Sequence, residues 1–499
     1  MLFWYYQTLK TISEMKKQKI LVLAFAFFVT SWTHAQEVKH WSLEQCINYA
    51  FENNLNIKLS DLSRQNIDAQ LQQSKLSMIP SLNFNLFNSW RWGRSIDPTT
   101  NRFANQSINS NGLNGSTSVI LFNGNRQVNT IRQGKKELEA SHYDMEKSKN
   151  DIALQVVGGY LNVIFAREQF ENANNQLNTT RTQVEQTQKL VDAGSLPITN
   201  LLDLTAQEAG NEVDVINAEN EIELALLQLK QLLQIPASEL FDVVKPEFDP
   251  EEYGMVPYPV DEVYQQALGT QPEIRSANLK IESADYGIKL AKGAHIPALS
   301  MNGQFFTNYS SIQNRERIVA DDAGGTPTDI PPSPIGQVNN DPNFMVYSFP
   351  RTIYTMPDYP IGTQWLDNRS WSLGLNISIP VFNGYITKTN VQRAEIMKES
   401  VTIEAENTRN VLRQTIERAY NDAEAAVKIF DAATKQVEAL QESFRATERS
   451  FNLGAKSFVD YQVASSNLFR AKSDLTRAKF DYIFKLKILD FYLGNPLTL

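Results

Sequence analysis

One cysteine, Cys46, cannot form a disulfide within the chain, and four scattered histidines offer no metal-ligand cluster. A disulfide scaffold and a His/Cys metal centre are therefore excluded, and no cofactor is expected. Basic residues do not dominate either. Against 56 Asp and Glu stand 47 Lys and Arg, for a net charge of −9 without any basic block, so nucleic acid is not an expected partner. No Ser/His/Asp order, phosphate-binding glycine loop or metal spacing occurs, and nothing marks an enzyme. Past residue 35, no apolar run approaches the roughly 20 residues that a bilayer-spanning helix needs.

What is present begins with an export signal. Met15-Lys-Lys-Gln-Lys supplies a positive segment, Ile20 to Val29 an apolar one, and Thr33-His34-Ala35 a small-residue cleavage site before Gln36. The pattern predicts a Sec-type signal peptide. Residues 1–14 precede a complete signal and are expected to be an upstream extension, with Met15 as the start. The alternative is a single N-terminal anchor, which the short apolar run disfavours. An exported chain without a transmembrane helix is soluble in the periplasm, secreted, or inserted as a β-barrel.

The rest of the chain is written twice. Phe-Asn-Gly stands at 122–124 and again at 382–384, and Tyr160 and Tyr420, Gly194 and Gly454, and Pro236 and Pro496 keep the same 260-residue offset. Upstream the offset is 217, pairing Ala50 with Ala267, Ile57 with Ile274 and Ile79-Pro80 with Ile296-Pro297. The difference places a net insertion of 43 residues in the second copy, between Pro297 and Phe382. The expected layout is an extension and signal at 1–35, repeat one at 36–236, a linker at 237–258 and repeat two at 259–499.

Within each repeat a long heptad pattern follows Phe-Asn-Gly. Ile416, Ala423, Phe430, Val437, Phe444 and Phe451 recur every seven residues with Ala419, Ala426, Ala433 and Leu440 between them, and Val156, Val163, Phe170 and Leu177 repeat the register in the first copy. Each such helix is predicted to run about 70 residues, about 100 Å. A second periodic stretch returns after Gly194 and after Gly454, making a helical hairpin in each copy. The apolar seam is narrow, and the other faces are rich in Gln, Asn, Thr, Glu and Lys. Such a helix suits the wall of a water-filled tube, although a coiled-coil stalk shares the pattern.

Ahead of Phe-Asn-Gly the period changes from 3.5 to 2. Leu82, Phe84 and Leu86 alternate with Asn83 and Asn85, and Trp371, Leu373, Leu375 and Ile377 alternate with Ser372, Gly374 and Asn376. The hairpins at about 81–122 and 298–382 have the length and pattern of transmembrane strands, with Trp90, Trp92, Trp365 and Trp371 as candidate interfacial aromatics. A soluble hairpin is the alternative for any one strand. The return strand around Leu113–Val119 is the weakest, and residues 310–364, with Pro331-Pro332, Pro334, Pro357 and Pro360, read as too proline-rich for paired strands. About four strands per chain cannot close a membrane barrel, so several chains must combine.

The order helix, Ile-Pro, strand, loop, strand, Phe-Asn-Gly, long helix, glycine tip and returning helix, twice behind a signal peptide, resembles the TolC family of outer membrane efflux proteins over nearly the whole mature chain. The resemblance implies a mainly α protein with transmembrane β. It implies a homotrimer whose twelve strands form one barrel embedded in outer membrane lipid above a periplasmic α-helical tunnel. It also implies a periplasmic adaptor, and through it an inner membrane pump, together exporting drugs, toxic small molecules or proteins. Residues 237–258 would be the strap around the tunnel, and 310–364 a large extracellular loop.

The same resemblance assigns sites. Pro80 and Pro297 would mark the way into the barrel, and Phe122, Gly124, Phe382 and Gly384 the way out. Gly194, Leu196, Pro197, Ile198, Gly454 and Phe458 would contact the adaptor, unless the apolar groups merely pin the helices together. Acidic residues at the closed tunnel entrance would match Asp203 and Asp460, but Asn200 and Val463 depart from that set. Lys456 could tether that acidic ring by an ion pair to a neighbour, and a helix-capping role for Asp460 is the alternative. A periplasmic coiled-coil adaptor or structural protein is the rival reading, but it does not require two amphipathic strand hairpins. If residues 310–364 face outward, a cysteine at Thr326 reacts with an impermeant thiol reagent on intact cells; protection at this and neighbouring positions contradicts the topology.

Overall fold

The computed structural model describes residues 39–96, 101, 103–105, 107–246, 258–312, 326–349, 351–355 and 359–495. The expected signal peptide, residues 247–257 of the strap and residues 313–325 of the insertion lie outside them.

Two compact units are present among the described residues, each assembled from separate stretches: those within 39–65, 140–278 and 404–495 form the first, and those within 66–139 and 279–403 the second. The first is helical. It holds α1 (Leu43–Asn53), most of the long helix α3 (Arg126–Asp192), the returning α4 (Ile198–Leu233), α5 (Val260–Thr270), most of α8 (Ile386–Asn452) and the returning α9 (Phe458–Tyr492). The helices α2 (Leu55–Leu76) and α6 (Pro272–Gly293) follow α1 and α5. Both long helices have 67 residues, so each is about 100 Å of uninterrupted helix.

The heptad seam of α8 is as narrow as its sequence implies. Leu412, Ile416, Ala419, Ala423, Ala426 and Ala433 are buried, while Glu417, Glu424 and Lys428 beside them are exposed. The α3 helix departs from that expectation. Between Ile152 and Ala166 it also buries Ala153, Val157, Leu161 and Ile164. The reason is coverage on both edges: Leu229 and Leu233 of α4 and Ala50 of α1 share its core with Phe480 and Ile483 of α9. A second core joins α8 to α5 and α9 through Ile416, Ala267, Tyr482 and Leu489. Each fully buried Leu or Ile removes apolar surface worth about 1.5–3 kcal/mol, so these seams outweigh any single polar contact.

Equivalent positions of the two copies make the same local structures. Ala50 and Ala267 are fully buried, and the amides of Asn54 and Gln271 donate to their carbonyls where α1 and α5 end. Gln234 and Gly494 take the left-handed conformation after α4 and α9. Part of the linker is ordered against the first core. Strand β6 (Phe241–Val243) runs parallel to β1 (Lys39–Trp41). Arg167 holds it through an ion pair with Asp242 and a 3.0 Å bond to the Val243 carbonyl, and the Tyr160 hydroxyl donates to the Val244 carbonyl.

The second unit carries one four-stranded antiparallel sheet in the order β12 (Ser370–Ser378), β7 (Ala298–Ser310), β5 (Ile108–Asn123), β2 (Ser81–Arg91). The strand read as weakest, β5, is the longest at 16 residues. Its asparagines, glycines and serines hide a central position paired on both sides, to β2 and to β7. Paired residues share a face, so Leu82, Thr117, Gly303 and Leu373 stand together with their alternate neighbours Phe84, Leu86, Phe305 and Trp371. These apolar side chains are exposed or half-buried, and the Phe305 and Trp371 rings lie 4.5 Å apart.

The proline-rich insertion is more ordered than its composition suggests. Strands β8 (Thr326–Ile330) and β11 (Arg351–Thr355) pair, as do β9 (Pro334–Gln337) and β10 (Met345–Tyr347), correcting the reading that proline forbids paired strands there. Proline is tolerated in ladders this short because an edge strand leaves half its N–H groups unpaired in any case. A short ladder, β3 (Arg94–Ile96) with β4 (Phe103–Asn105), occupies the first loop. Where β7 outruns β12, the helix α7 (Ile361–Asp367) covers its edge. Gln364 Oε1 accepts from the Ser310 amide at 2.9 Å, Asn368 donates to the Asn308 carbonyl at 2.9 Å, and Trp365 Nε1 reaches Asn111 Oδ1 at 3.1 Å.

The narrow seam predicts a sharp contrast on adjacent residues. Ala423→Phe overpacks a fully buried position and costs about 1–3 kcal/mol, whereas Glu424→Ala on the wet face changes stability by less than about 0.5 kcal/mol. Thermal denaturation of the detergent-solubilised protein measures both.

Candidate functional site

Each helical hairpin turns through a glycine with positive φ, +72° at Gly194 and +73° at Gly454. The following amides close matched C-terminal caps: Gly194 N to Val191 O and Ser195 N to Leu190 O in one, Gly454 N to Phe451 O and Ala455 N to Ser450 O in the other. Such caps need a residue that tolerates the left-handed region, which glycine does without strain. Pro197 precedes the first residue of α4, its fixed φ of −64° suiting a helix start.

Side chains at the two tips differ. Ile198 is 61% exposed, and Pro197 and Val459 are exposed too, whereas Leu196 is half-buried. Phe458 is only 7% exposed. Its ring is therefore not on the exposed surface of the tip, in keeping with the pinning alternative. It joins Leu204 and Tyr461 in a small core flanked by Val184, Phe444 and Phe451, so it pins the hairpins to each other. A polar ladder extends this junction along α3 and α9. Gln183 donates to the Tyr461 hydroxyl, Gln176 to Ser465 Oγ at 3.2 Å, Asn172 to Thr476 Oγ1 at 3.0 Å and Gln169 to the Ser473 carbonyl at 2.9 Å. Gln462 of α9 reaches Gln207 of α4 at 3.0 Å, and Asn211 reaches Thr180 at 2.8 Å. Sequence reading for apolar periodicity missed this ladder. Its signal was side-chain amides at spacings of three, four and seven residues on α3, facing Tyr461, Ser465 and Thr476 on α9.

Asp460 is exposed and forms a reciprocal capping box with Ser457. Ser457 Oγ accepts from the Asp460 amide at 3.2 Å, and Asp460 Oδ2 accepts from the Ser457 hydroxyl at 2.7 Å and its amide at 3.2 Å. Those bonds, with Lys456 adding a smaller attraction, hold the carboxyl below its ordinary range. Lys456 itself reaches Thr447 Oγ1 at 3.4 Å. Asp203 is exposed on α4, and Asn200 is half-buried.

At the other end of the long helices, Ile79 N to Leu76 O and Ile296 N to Gly293 O close the turns before Pro80 and Pro297. The exits are equally matched: Gly124 and Asn125 have φ of 68° and 61°, Gly384 and Tyr385 both 62°. Gly124 is obligatory for space as well, since a Cβ there would meet the Gly293 carbonyl oxygen at 2.4 Å. Phe122 pairs with Leu299 just past a bulge in the ladder, and Phe382 is exposed.

The model of the family described as outer membrane efflux protein matches residues 46–233 and 263–495. The chain belongs to that family. Outer membrane protein TolC of Escherichia coli (strain K12) is 21% identical over 394 residues, covering 78% of this chain and 70% of the relative. TolC of Vibrio cholerae is 21% identical over 456 residues, 91% of each. Among solved structures, the Campylobacter jejuni CmeC outer membrane channel superposes with a TM-score of 0.68 at 17% identity, covering 91% of this chain and 85% of CmeC. The efflux family is one of channels rather than enzymes, and the present chain is accordingly an outer membrane efflux channel protein.

The capping box sets a pH dependence with a defined sign. A carboxyl held low in the folded state stabilises the start of α9 above its unfolded pKa, and that support is lost as pH falls through the lowered folded value. Acid should therefore speed proteolysis at the second tip, and Asp460→Asn should make cleavage there faster at neutral pH and nearly pH-independent. Equal cleavage of wild type and variant across this range contradicts the cap.

Proposed function

We propose that three copies close a twelve-stranded barrel in the outer membrane and a helical tunnel beneath it. Drugs, toxic small molecules or proteins would pass through, delivered by an inner membrane pump through a periplasmic adaptor. The observation that carries this reading is the four-stranded sheet with one apolar face and two strand edges, β2 and β12, that find no strand partner among the described residues. Backbone groups on such edges cannot face lipid unpaired, so the sheet must continue into another copy. The signal peptide within residues 15–35 supplies export, and residues 237–258, which include β6, form the strap.

Docking belongs to the exposed tip residues Pro197, Ile198 and Val459, with Gly194 and Gly454 setting the turn and Phe458 supporting it from inside. A threefold arrangement would also bring Asp460, and Asp203 on the neighbouring return helix, around one entrance. Like charges a few ångströms apart at an effective dielectric near 20 repel by a few kcal/mol per pair, enough to favour cations there. The capping box supports a structural duty for Asp460 beside any gating one.

Native mass measurement of the detergent-solubilised protein should give three chains. Ile198→Asp with Val459→Asp should lower export by about tenfold or more, the scale of losing about 1.4 kcal/mol or more of docking energy, while trimer and barrel persist. Loss of the trimer in that variant would assign these residues to assembly instead.

A further inference from the structure

The two strand hairpins share one register once the repeat offsets are applied. Leu82 pairs with Thr117 in the first, and their counterparts Leu299 and Ile377 pair in the second. The chain also contains one junction between copies of the repeat. There the return strand β5 of repeat one pairs with the first strand β7 of repeat two, setting Thr117 opposite Gly303 and Leu113 opposite Thr307. The mirror junction, from β12 to β2, is the one the single chain leaves open.

We propose that β12 of one copy pairs with β2 of a second copy in the register of the β5–β7 junction, with Ile377 opposite Leu86 and Leu373 opposite Trp90. The proposal rests on the multi-chain barrel and adds the residues at its seam. Both pairs bring side chains of the apolar face together, since Leu373 and Leu86 already share that face through Gly303, Thr117 and Leu82. A slip of one residue would set the apolar face of one strand against the polar face of the other. A slip of two keeps the faces, and only the duplication decides against it.

The helices give an independent check of the same rule. In the junction within the chain, Gln169 and Asn172 of α3 donate to the Ser473 carbonyl and to Thr476 Oγ1 of α9. Shifted by 260 residues, these positions become Ile429 and Ala432 on α8 and Val213 and Ile216 on α4. Ile429 is 57% exposed, Val213 56% and Ile216 63%. Apolar residues thus stand on both partners of the open junction where its closed counterpart is polar. Burying three such side chains is what a second copy seated by the same rule would do. The contact is heterologous, repeat two of one copy against repeat one of the next, so it generates a ring where its rotation closes.

Paired cysteines in the full-length protein test this in isolated outer membranes. Leu373→Cys with Trp90→Cys, and Ile377→Cys with Leu86→Cys, should form intermolecular disulfides under mild oxidant. Their yield should exceed that of the slipped pairs Leu375→Cys with Trp90→Cys and Leu375→Cys with Leu86→Cys by roughly tenfold, because diagonal neighbours lie beyond disulfide reach. Ile429→Cys with Val213→Cys should cross-link between chains as well. Cys46 needs no replacement, being fully buried with its thiol pushed up to about 12 by burial. Preferential cross-linking of a slipped pair overturns the register while leaving the multi-chain barrel standing, and failure of the helix pair alone overturns the helical half. Absence of every cross-link together with a single-chain mass would instead bring down the barrel reading itself.

Discussion

An unpaired strand edge cannot rest in hydrocarbon, and this one constraint organises the chain. Each N–H or C=O left without a partner in lipid costs several kcal/mol, so a sheet of four strands, whatever its apolar face contributes, is unfinished. Inside the chain the constraint is met strand by strand: β5 is paired on both sides, and α7 caps the stretch of β7 that β12 does not reach. At the outer edges no side chain substitutes for a strand among the described residues. On the proposed barrel, the need for another copy follows from backbone chemistry before any helix is considered.

The helices answer a different solvent. The seam of α8 is as narrow as a coiled coil requires, with Asp422 and Glu424 either side of Ala423 and Glu417 beside Ile416. Water on two faces is compatible with that pattern, and lipid is not. Between the two regimes stand residues that change period from 2 to 3.5 within a few positions. Gly124 and Asn125, like Gly384 and Tyr385, accomplish this with two consecutive left-handed residues, a geometry that a strand cannot continue and a helix cannot begin.

Most of this was legible because the signals were local or repeated. The 67-residue helices, the glycine tips and the strand-to-helix exits each follow from a motif written twice. What escaped reading depended on tertiary coverage. The wide buried face of α3 comes from a helix 300 residues away in sequence, and β5 lacks alternating leucines because both its edges and much of one end are enclosed. Phe458 looked like a surface anchor because its polar neighbours suggested exposure, yet Leu204 and Tyr461 cover it. Pro380 is a subtler case. By the 260-residue offset it stands where Ile120 begins the irregular step of the β5–β7 ladder, so a residue with no N–H falls where the ladder is already broken.

Duplication explains why polar and apolar contacts are distributed as they are. A junction formed within one chain is held at high effective concentration by its connection, so amides and hydroxyls suffice for register along α3 and α9. The equivalent junction between separate chains must also overcome the translational and rotational freedom lost on association. Directional bonds that exchange with water contribute only about 0.5–1.5 kcal/mol each, whereas an apolar side chain the size of Ile429 contributes about 1.5–3 kcal/mol when fully buried. Replacing Gln169 and Ser473 by Ile429 and Val213 at matched positions therefore gives the junction that must assemble the larger driving force.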